Sequence, residues 1–370
     1  MSNQFEEVKK NFGFGCMRLP MNGEEVNYKE FEEMTDTFLK AGFNYFDTAR
    51  GYIQGKSETA IRECLVKRHP RESFILTDKL TEPYFEKEED IRPFFESQLE
   101  ACGVSYFDFY LMHAQNAENY KKFQRCHAYE TAQKLKEEGK VRHVGISFHD
   151  TAEVLDMILT DHPELDVVQL QFNYVDYLDE EVQGKACYEV CVKHGKPVIV
   201  MEPVKGGKLI RLPKKAQDIL DELKGGSNAS YAIRFAAGFE NIMMVLSGMS
   251  DMEQMNDNLS FMKEFQPLSQ EERKAVEKVA EIFKDQKMIS CTSCRYCTDG
   301  CPKQIPIPEI FSCVNDKIQY ENEQSKKGYE EVTKDKGKAS DCIQCGKCEK
   351  ACPQHLEIRK LLKEVTKLFQ

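Results

Sequence analysis

From about residue 11 to residue 265, short apolar runs alternate with amphipathic stretches. The runs at 13–17, 43–47, 74–77, 107–112, 141–147, 167–171, 197–201 and 243–247 are of strand length and read as strands. Between them, 28–41, 57–67, 90–102, 120–138, 152–159, 179–194, 228–237 and 251–261 carry apolar residues at helical spacing. Strands that alternate with helices predict a parallel sheet, and eight such units in roughly 250 residues predict a closed (β/α)8 TIM barrel. An open doubly wound sheet is the competing architecture, but no G-x-G-x-x-G follows the first strand.

The pattern then changes. Residues 267–288 read as a charged amphipathic linking helix. Residues 289–370 hold short helical stretches, dense cysteine and no strand-length apolar run, which predicts a small, mainly helical unit. The expected division is therefore a barrel over 1–266, a linking helix over 267–288 and a second domain over 289–370. The stretch 319–340 is polar and charged and reads as an exposed connection.

Composition narrows the function classes. Fifty-one basic against sixty-two acidic residues leave a formal charge of −11 over 370 residues, which disfavours binding to a phosphate backbone. No segment approaches about 18 consecutive apolar residues, and the polar first ten residues do not resemble a signal peptide. A cytoplasmic protein that engages neither membrane nor nucleic acid is the expectation.

Cysteine is the outlier, with fifteen in the chain. Eight fall into two runs of one pattern, Cys291-x2-Cys294-x2-Cys297-x3-Cys301-Pro302 and Cys342-x2-Cys345-x2-Cys348-x3-Cys352-Pro353. Three thiolates spaced in this way wrap three corners of one cubane, and the fourth leaves on a Pro turn to ligate the other cluster. One [4Fe–4S] cluster is thus expected on Cys291, Cys294, Cys297 and Cys352, and a second on Cys342, Cys345, Cys348 and Cys301. Structural zinc is the alternative, but it needs only four ligands in paired hooks. Cys313 lies outside both runs and reads as a packed thiol.

Four polar residues stand at or just beyond predicted strand ends: Asp47, Tyr52, Lys79 and His113. In a parallel barrel such ends converge on one mouth. A buried Asp or Lys there is costly unless paired, so Asp47 and Lys79 are expected to meet. An ammonium beside a phenol favours phenolate, so Lys79 is expected to lower the pKa of Tyr52 and make it a general acid. His113 would orient the same substrate oxygen. This set suits the reduction of a carbonyl, or the reverse oxidation of an alcohol. Cys16, at the first strand end, also falls where barrel enzymes place their chemistry.

The segments Gly13-Phe-Gly15-Cys-Met-Arg-Leu-Pro20, Asp47-Thr-Ala-Arg-Gly-Tyr52-Ile-Gln-Gly55-Lys-Ser57-Glu58, Asp108-Phe-Tyr-Leu-Met-His113 and Val144-Gly-Ile-Ser147 resemble those of the aldo-keto reductases, over about two thirds of the chain. The tail resembles the dicluster ferredoxin-like domains that one subgroup of that family carries. The resemblance implies NAD(P)H-dependent carbonyl chemistry, with Asp47, Tyr52, Lys79 and His113 matching the family's catalytic tetrad. On the cofactor side it implies Gly15, Cys16 and Met17 in the first loop, Ser147 and Gln169 at the carboxamide, Met201 at the stacking position, and Ser247, Gly248, Gln254 and Asn258 around the last strand. Phe148 stands where the family has Asn. No Lys or Arg lies between Ser247 and Asn258, so the choice between NADH and NADPH stays open. Gly206, in Lys205-Gly-Gly-Lys208, could approach a pyrophosphate, or simply form a loop.

Hydride carriers move two electrons and [4Fe–4S] clusters one. Three expectations follow: clusters that exchange electrons with ferredoxin or another carrier, a flavin or unusual substrate that joins the two halves, or clusters with a structural or partner-binding role alone. No residue pattern marks a flavin site. A redox-sensing protein without catalysis would have no need of the tetrad. Oxygen-sensitive clusters point to an anaerobe.

Overall fold

A computed structural model describes residues 5–223, 225–285, 288–320 and 324–369. Eight parallel strands close into a barrel. They are β1 (Phe12–Gly15), β2 (Tyr45–Asp47), β3 (Ile75–Leu80), β4 (Phe107–Gln115), β5 (Val141–Phe148), β6 (Val167–Gln171), β7 (Val198–Met201) and β8 (Ile242–Ser247). β1 closes the ring by pairing with both β2 and β8. The TIM barrel expected from the alternation of apolar runs is the observed fold, and each predicted strand is present with its ends moved by a few residues.

Side-chain alternation decides what each strand residue meets. Tyr45, Ile75, Phe109, Leu111, Val167, Ile199, Met244 and Leu246 form one buried cluster, to which Phe5 and Val8 of the leading segment also belong. On the other face, Phe14 and Phe46 pack edge-on against Phe31 and Phe38 of helix Tyr28–Lys40. That helix is started by Asn27, whose side chain accepts from the Glu30 amide. Gly145 shows how tight the sheet is. A Cβ there would fall 2.5 Å from the Val167 carbonyl oxygen and 2.9 Å from Leu111.

Two helical predictions are revised. The stretch expected as one helix over 120–138 is two, Ala117–Arg125 and Ala128–Glu137, broken where His127 takes a left-handed backbone at φ 48°. The helix expected over 179–194 is confined to Gly184–Lys193, because Asp179 turns the chain by accepting from the Glu181 and Val182 amides. A short hairpin, Met21–Asn22 with Glu25–Val26, gave no signal in the sequence.

The chain forms two compact units, Met1–Pro203 with Ala229–Ser269, and Val204–Asn228 with Gln270–Gln370. The segment after β7 was expected within the barrel, and helix Gln270–Asp285 as a separate link. Both belong to the second unit, where Lys214–Asp221 packs on Gln270–Asp285. The last two predicted positions of the link before residue 288, 286 and 287, lie outside the described residues.

The second unit is mainly helical, as expected, and its symmetry exceeds the cysteine pattern. Its two runs lie 51 residues apart (342 minus 291), and the backbone repeats at the same offset. Left-handed residues Ser293, Arg295 and Gln304 are matched by Gln344, Gly346 and His355. The short helix Tyr296–Asp299 is matched by Lys347–Lys350, and Ile307–Tyr320 begins at the same offset as Ile358–Phe369. Ile305, Ile307, Ile310, Phe311, Ile358, Leu362 and Val365 build a common core. Among the described residues, no helix is long and apolar enough to cross a membrane.

Gly145→Ala is expected to lower barrel stability by about 1–3 kcal/mol through overpacking. Thermal unfolding followed by circular dichroism checks this. A midpoint equal to that of the unmodified chain would contradict the close approach.

Candidate functional site

Every barrel strand delivers a candidate residue near its C-terminal end: Gly15, Asp47, Lys79, His113, Ser147, Gln169, Met201 and Ser247. Register sets their spacing. Gly15 lies opposite Asp47, Asp47 opposite Thr77 and Ser147 opposite Gln169, so Lys79 projects two residues beyond the Asp47 level.

The expected Asp47–Lys79 pair is present. Lys79 Nζ donates to Asp47 Oδ1 and to the Thr48 carbonyl, each at 2.7 Å, and the lysine is fully buried. Gln169 Nε2 donates to the other carboxylate oxygen of Asp47 at 3.2 Å. Burial pushes the Asp47 carboxyl up, while Lys79 and Gln169 pull it back in part. The same ammonium lies 4.9 Å from the Tyr52 ring centroid, and that ring meets His113 edge-on at 6.2 Å. The structure thus brings together all four residues of the predicted set.

The expectation of a lowered Tyr52 pKa is not met. Burial raises it well above the usual phenol value, and the charges of Asp47 and Asp78 add to the rise. The ammonium is already shared with Asp47, so it does not offset desolvation of the phenolate. Tyr52 is therefore a protonated phenol at any physiological pH. His113 is held well below its ordinary pKa by burial and by the nearby Lys79 charge, so it is neutral. Its Nδ1 lies 2.8 Å from Thr81 Oγ1, a partner that the sequence did not single out.

The loop that carries Tyr52 is strained and then clamped. Ile53 and Gln54 adopt left-handed backbones at φ 50° and 57°. Arg50 donates to Glu58 at 2.6 Å and to Ser97 at 3.1 Å, and its guanidinium stands over Phe94. Behind this clamp lies a buried carboxyl pair that sequence reasoning missed. Glu58 hydrogen-bonds to Asp78, so the pair holds a proton, and burial raises both pKa values. Gln98 donates to Glu58, Asp78 and the Lys79 carbonyl, while Tyr110 donates to Gln98. Asp78 directly precedes Lys79, so the charge pattern was visible but its depth was not.

The cofactor-side candidates divide. Ser147 Oγ accepts from the Ala114 amide at 2.8 Å, and Ser247 Oγ accepts from Asn258 at 3.0 Å, which fixes both hydroxyls at the mouth. Met17 is half-buried, and Cys16 is fully buried. The Cys16 thiol bonds the Phe14 carbonyl at 3.5 Å, and burial pushes its pKa up. Gln254 is exposed and is spent on capping its own helix, with Asp251 and the Ser250 amide as partners. Gly206 belongs to the second unit, where a Cβ would fall 2.5 Å from the Thr292 carbonyl oxygen, so its lack of a side chain admits that segment. Gly248 lies against Arg18, whose Cβ is 3.5 Å from where a Gly248 Cβ would be. That cation comes from the loop after β1, which is why the segment around the last strand did not disclose it.

In the second unit the thiols divide as the crossed rule requires. Cys291, Cys294, Cys297 and Cys352 line one cavity. Cys301, Cys342, Cys345 and Cys348 line another. Among the described residues, no three His, Cys, Asp or Glu side chains converge closely enough for a single metal ion. Burial raises the Cys297 thiol and pushes Cys348 up to about 11, so ligation would require both to release protons. Cys313 is buried in the apolar core of this unit, as expected.

The chain belongs to the aldo/keto reductase family, whose sequence model matches residues 11–281. A 4Fe-4S dicluster domain model matches residues 290–357. The chain is 27% identical over 194 residues to an NADH-specific methylglyoxal reductase of Escherichia coli, spanning 47% of this chain and 57% of that protein. It is 26% identical to an L-galactose dehydrogenase of Arabidopsis thaliana, over 67% of this chain and 83% of that one. Among solved structures, an aldo-keto reductase of Klebsiella pneumoniae in complex with NADPH superposes with TM-score 0.60 at 19% identity, over 74% of this chain and 95% of that one. A holo-form aldo-keto reductase of Bacillus halodurans gives TM-score 0.59 at 23% identity, over 73% and 92%. The chain spans a little over half the length of the methylglyoxal reductase.

Carboxyls whose pKa is raised on folding bind protons that the unfolded chain releases. The buried Glu58–Asp78 pair, which faces Arg50, Lys79, Cys102 and Tyr110, should therefore lose stability as pH rises above the ordinary values of 3.8 and 4.5. Asp78→Asn keeps the acceptor for Gln98 and offers Glu58 a donor. It should flatten this pH dependence in thermal unfolding between about pH 4.5 and 7. An unchanged slope would show that the pair does not hold the extra proton.

Proposed function

We propose that the protein reduces a small carbonyl compound, or oxidises the corresponding alcohol, using NAD(P)H, and that its tail holds two [4Fe–4S] clusters. The observation that supports this most is the buried Asp47–Lys79 pair beside Tyr52 and His113 at the barrel mouth.

A bound nicotinamide would supply or accept the hydride at the substrate carbon. Tyr52 donates the proton to the oxygen as negative charge develops there. Its raised pKa keeps that proton in place until charge appears, and Lys79 then steadies the phenolate left behind. Neutral His113, braced by Thr81, orients the carbonyl oxygen. Asp47 holds Lys79 in place. Ser147 and Gln169 would meet the carboxamide, and Gly15 and Gly248 would allow close approach of the cofactor. Arg18 beside Gly248 is the cation that could meet a phosphate, which leaves both NADH and NADPH within reach of the site.

In the tail, two separate four-thiol cavities are the donor sets that two cubanes need, and their crossed membership supports Cys301 and Cys352 as the exchanged ligands. The clusters would pass single electrons to or from ferredoxin or another carrier. Thiolate ligands fit the reducing interior of a cell, and oxygen-sensitive clusters fit an anaerobic one.

Tyr52→Phe is expected to cut NAD(P)H-dependent turnover of an aldehyde and ketone panel by about 10²–10⁴-fold. Cofactor affinity, read by fluorescence titration, should stay within about twofold if the hydroxyl acts only in proton transfer. Equal turnover in the two proteins would remove the acid role. Anaerobically purified protein should hold roughly eight iron and eight sulfide per chain, and Cys352→Ser should lose about half. A preparation with zinc in place of iron would overturn the tail assignment.

A further inference from the structure

The two thiol cavities differ in their surroundings. Around the first, the only charged lining residue is Arg295, which is ion-paired with Glu309. The second is lined by more cations. Cys345 is exposed, and the neighbouring apolar side chain of Ile343 is 56% exposed. Lys303, Lys347 and Arg359 line this cavity, and Lys350 lies one helical turn beyond Lys347. Arg359 is paired with Glu349 at 2.6 Å, whereas Lys303, Lys347 and Lys350 have no ion-pair partner among the described residues. In a chain of net charge −11, Lys303, Lys347, Lys350 and Arg359 thus flank one exposed apolar tip, against the carboxylates of Asp341 and Glu349 in the same run.

We propose that this face is the docking surface for a small acidic one-electron carrier protein, with the second thiol set as its point of exchange. The inference rests on the reading of Cys301, Cys342, Cys345 and Cys348 as cluster ligands. Electron transfer needs brief, close encounters, which small interfaces with complementary charge provide. Ile343 supplies the apolar contact and the lysines steer the approach. The exchange is one electron with no proton: the reduced carrier is oxidised as the ligated iron–sulfur centre is reduced by one electron. The thiolate of Cys345, being the exposed ligand, offers the shortest path. The first set has Arg295, which is paired with Glu309, and Lys208, which is engaged by the Ile289 carbonyl, and it has no exposed thiol, so its claim on an acidic partner is weaker.

The test uses the iron-loaded full chain and, as probe, an acidic bacterial ferredoxin. Binding of the oxidised probe is measured by calorimetry, and electron transfer from the reduced probe by stopped-flow absorbance. Raising salt from about 20 to about 300 mM should weaken binding and slow transfer at least about tenfold. Lys303→Glu combined with Lys347→Glu should cause a similar loss at low salt and flatten the salt dependence, while reduction by methyl viologen radical stays within about twofold. Ile343→Ser should weaken binding without changing the salt slope. Equal binding by the charge-reversed and unmodified proteins overturns the proposal, as does a salt-independent rate. A charge-reversed protein equally slow toward viologen also overturns it, because the change would then act on the centre itself. A salt-sensitive dimer of the unmodified chain that Ile343→Ser dissociates would assign the face to a second copy instead. If the iron-loaded chain cannot be obtained because no iron binds, the cluster reading fails, and the docking proposal fails with it.

Discussion

A lysine ammonium and an aspartate carboxylate buried together at the mouth of a barrel constrain most of what surrounds them. Neither charge is tolerable there alone, since removing one partner of such a pair costs about 3–5 kcal/mol. The surroundings supply what the pair needs: the Thr48 carbonyl and Gln169 complete the hydrogen bonds, and the sheet register brings strands β2, β3 and β6 to the right depth. The same pair bears on the electrostatics of its neighbours. Burial is the main reason that Tyr52 stays protonated and His113 neutral, and the charges of Asp47 and Lys79 reinforce it. The barrel mouth is therefore a preorganised arrangement of one protonated phenol, one neutral imidazole and one fixed cation.

Much of this was legible in the chain. Strand positions came from apolar runs, because a parallel strand covered on both faces has no polar side to interrupt it. The grouping of Asp47, Tyr52, Lys79 and His113 followed from residue type at strand ends, and the division of the thiols between two cavities from spacing. What was not legible depends on distance in three dimensions. The depth of Asp78 and Glu58 is set by Gln98 and Tyr110 from other elements. Arg18 reaches Gly248 from a loop some 230 residues earlier in the chain (248 minus 18). The rise of the Tyr52 pKa was not legible because its main cause is burial, which the chain does not disclose, followed by the carboxylate that already claims the neighbouring ammonium. Gln254 matched a family position by type, yet its side chain closes its own helix.

The repeat in the tail explains why two cysteine runs of modest length can order a small domain. At each run three residues take left-handed backbones at the same offsets, which turns the chain tightly enough to direct successive thiols at one space. The fourth thiol of each run lines the cavity of the other. Each half thus contributes to both cavities, and the helices Ile307–Tyr320 and Ile358–Phe369 seal them from behind with one shared core.

The segment Val204–Asn228 leaves the barrel's chain order to join the second unit and then returns. Gly206 there abuts Thr292, and Lys208 donates to the Ile289 carbonyl, just ahead of the first cysteine run. A gene fragment beginning at Gln270 would encode every thiol of both sets but not the residues that brace the approach to them. The tail is therefore not a detachable cassette: a fragment cut at Gln270 would lose these contacts, and a chain without the tail would keep Val204–Asn228 without the neighbours it packs on.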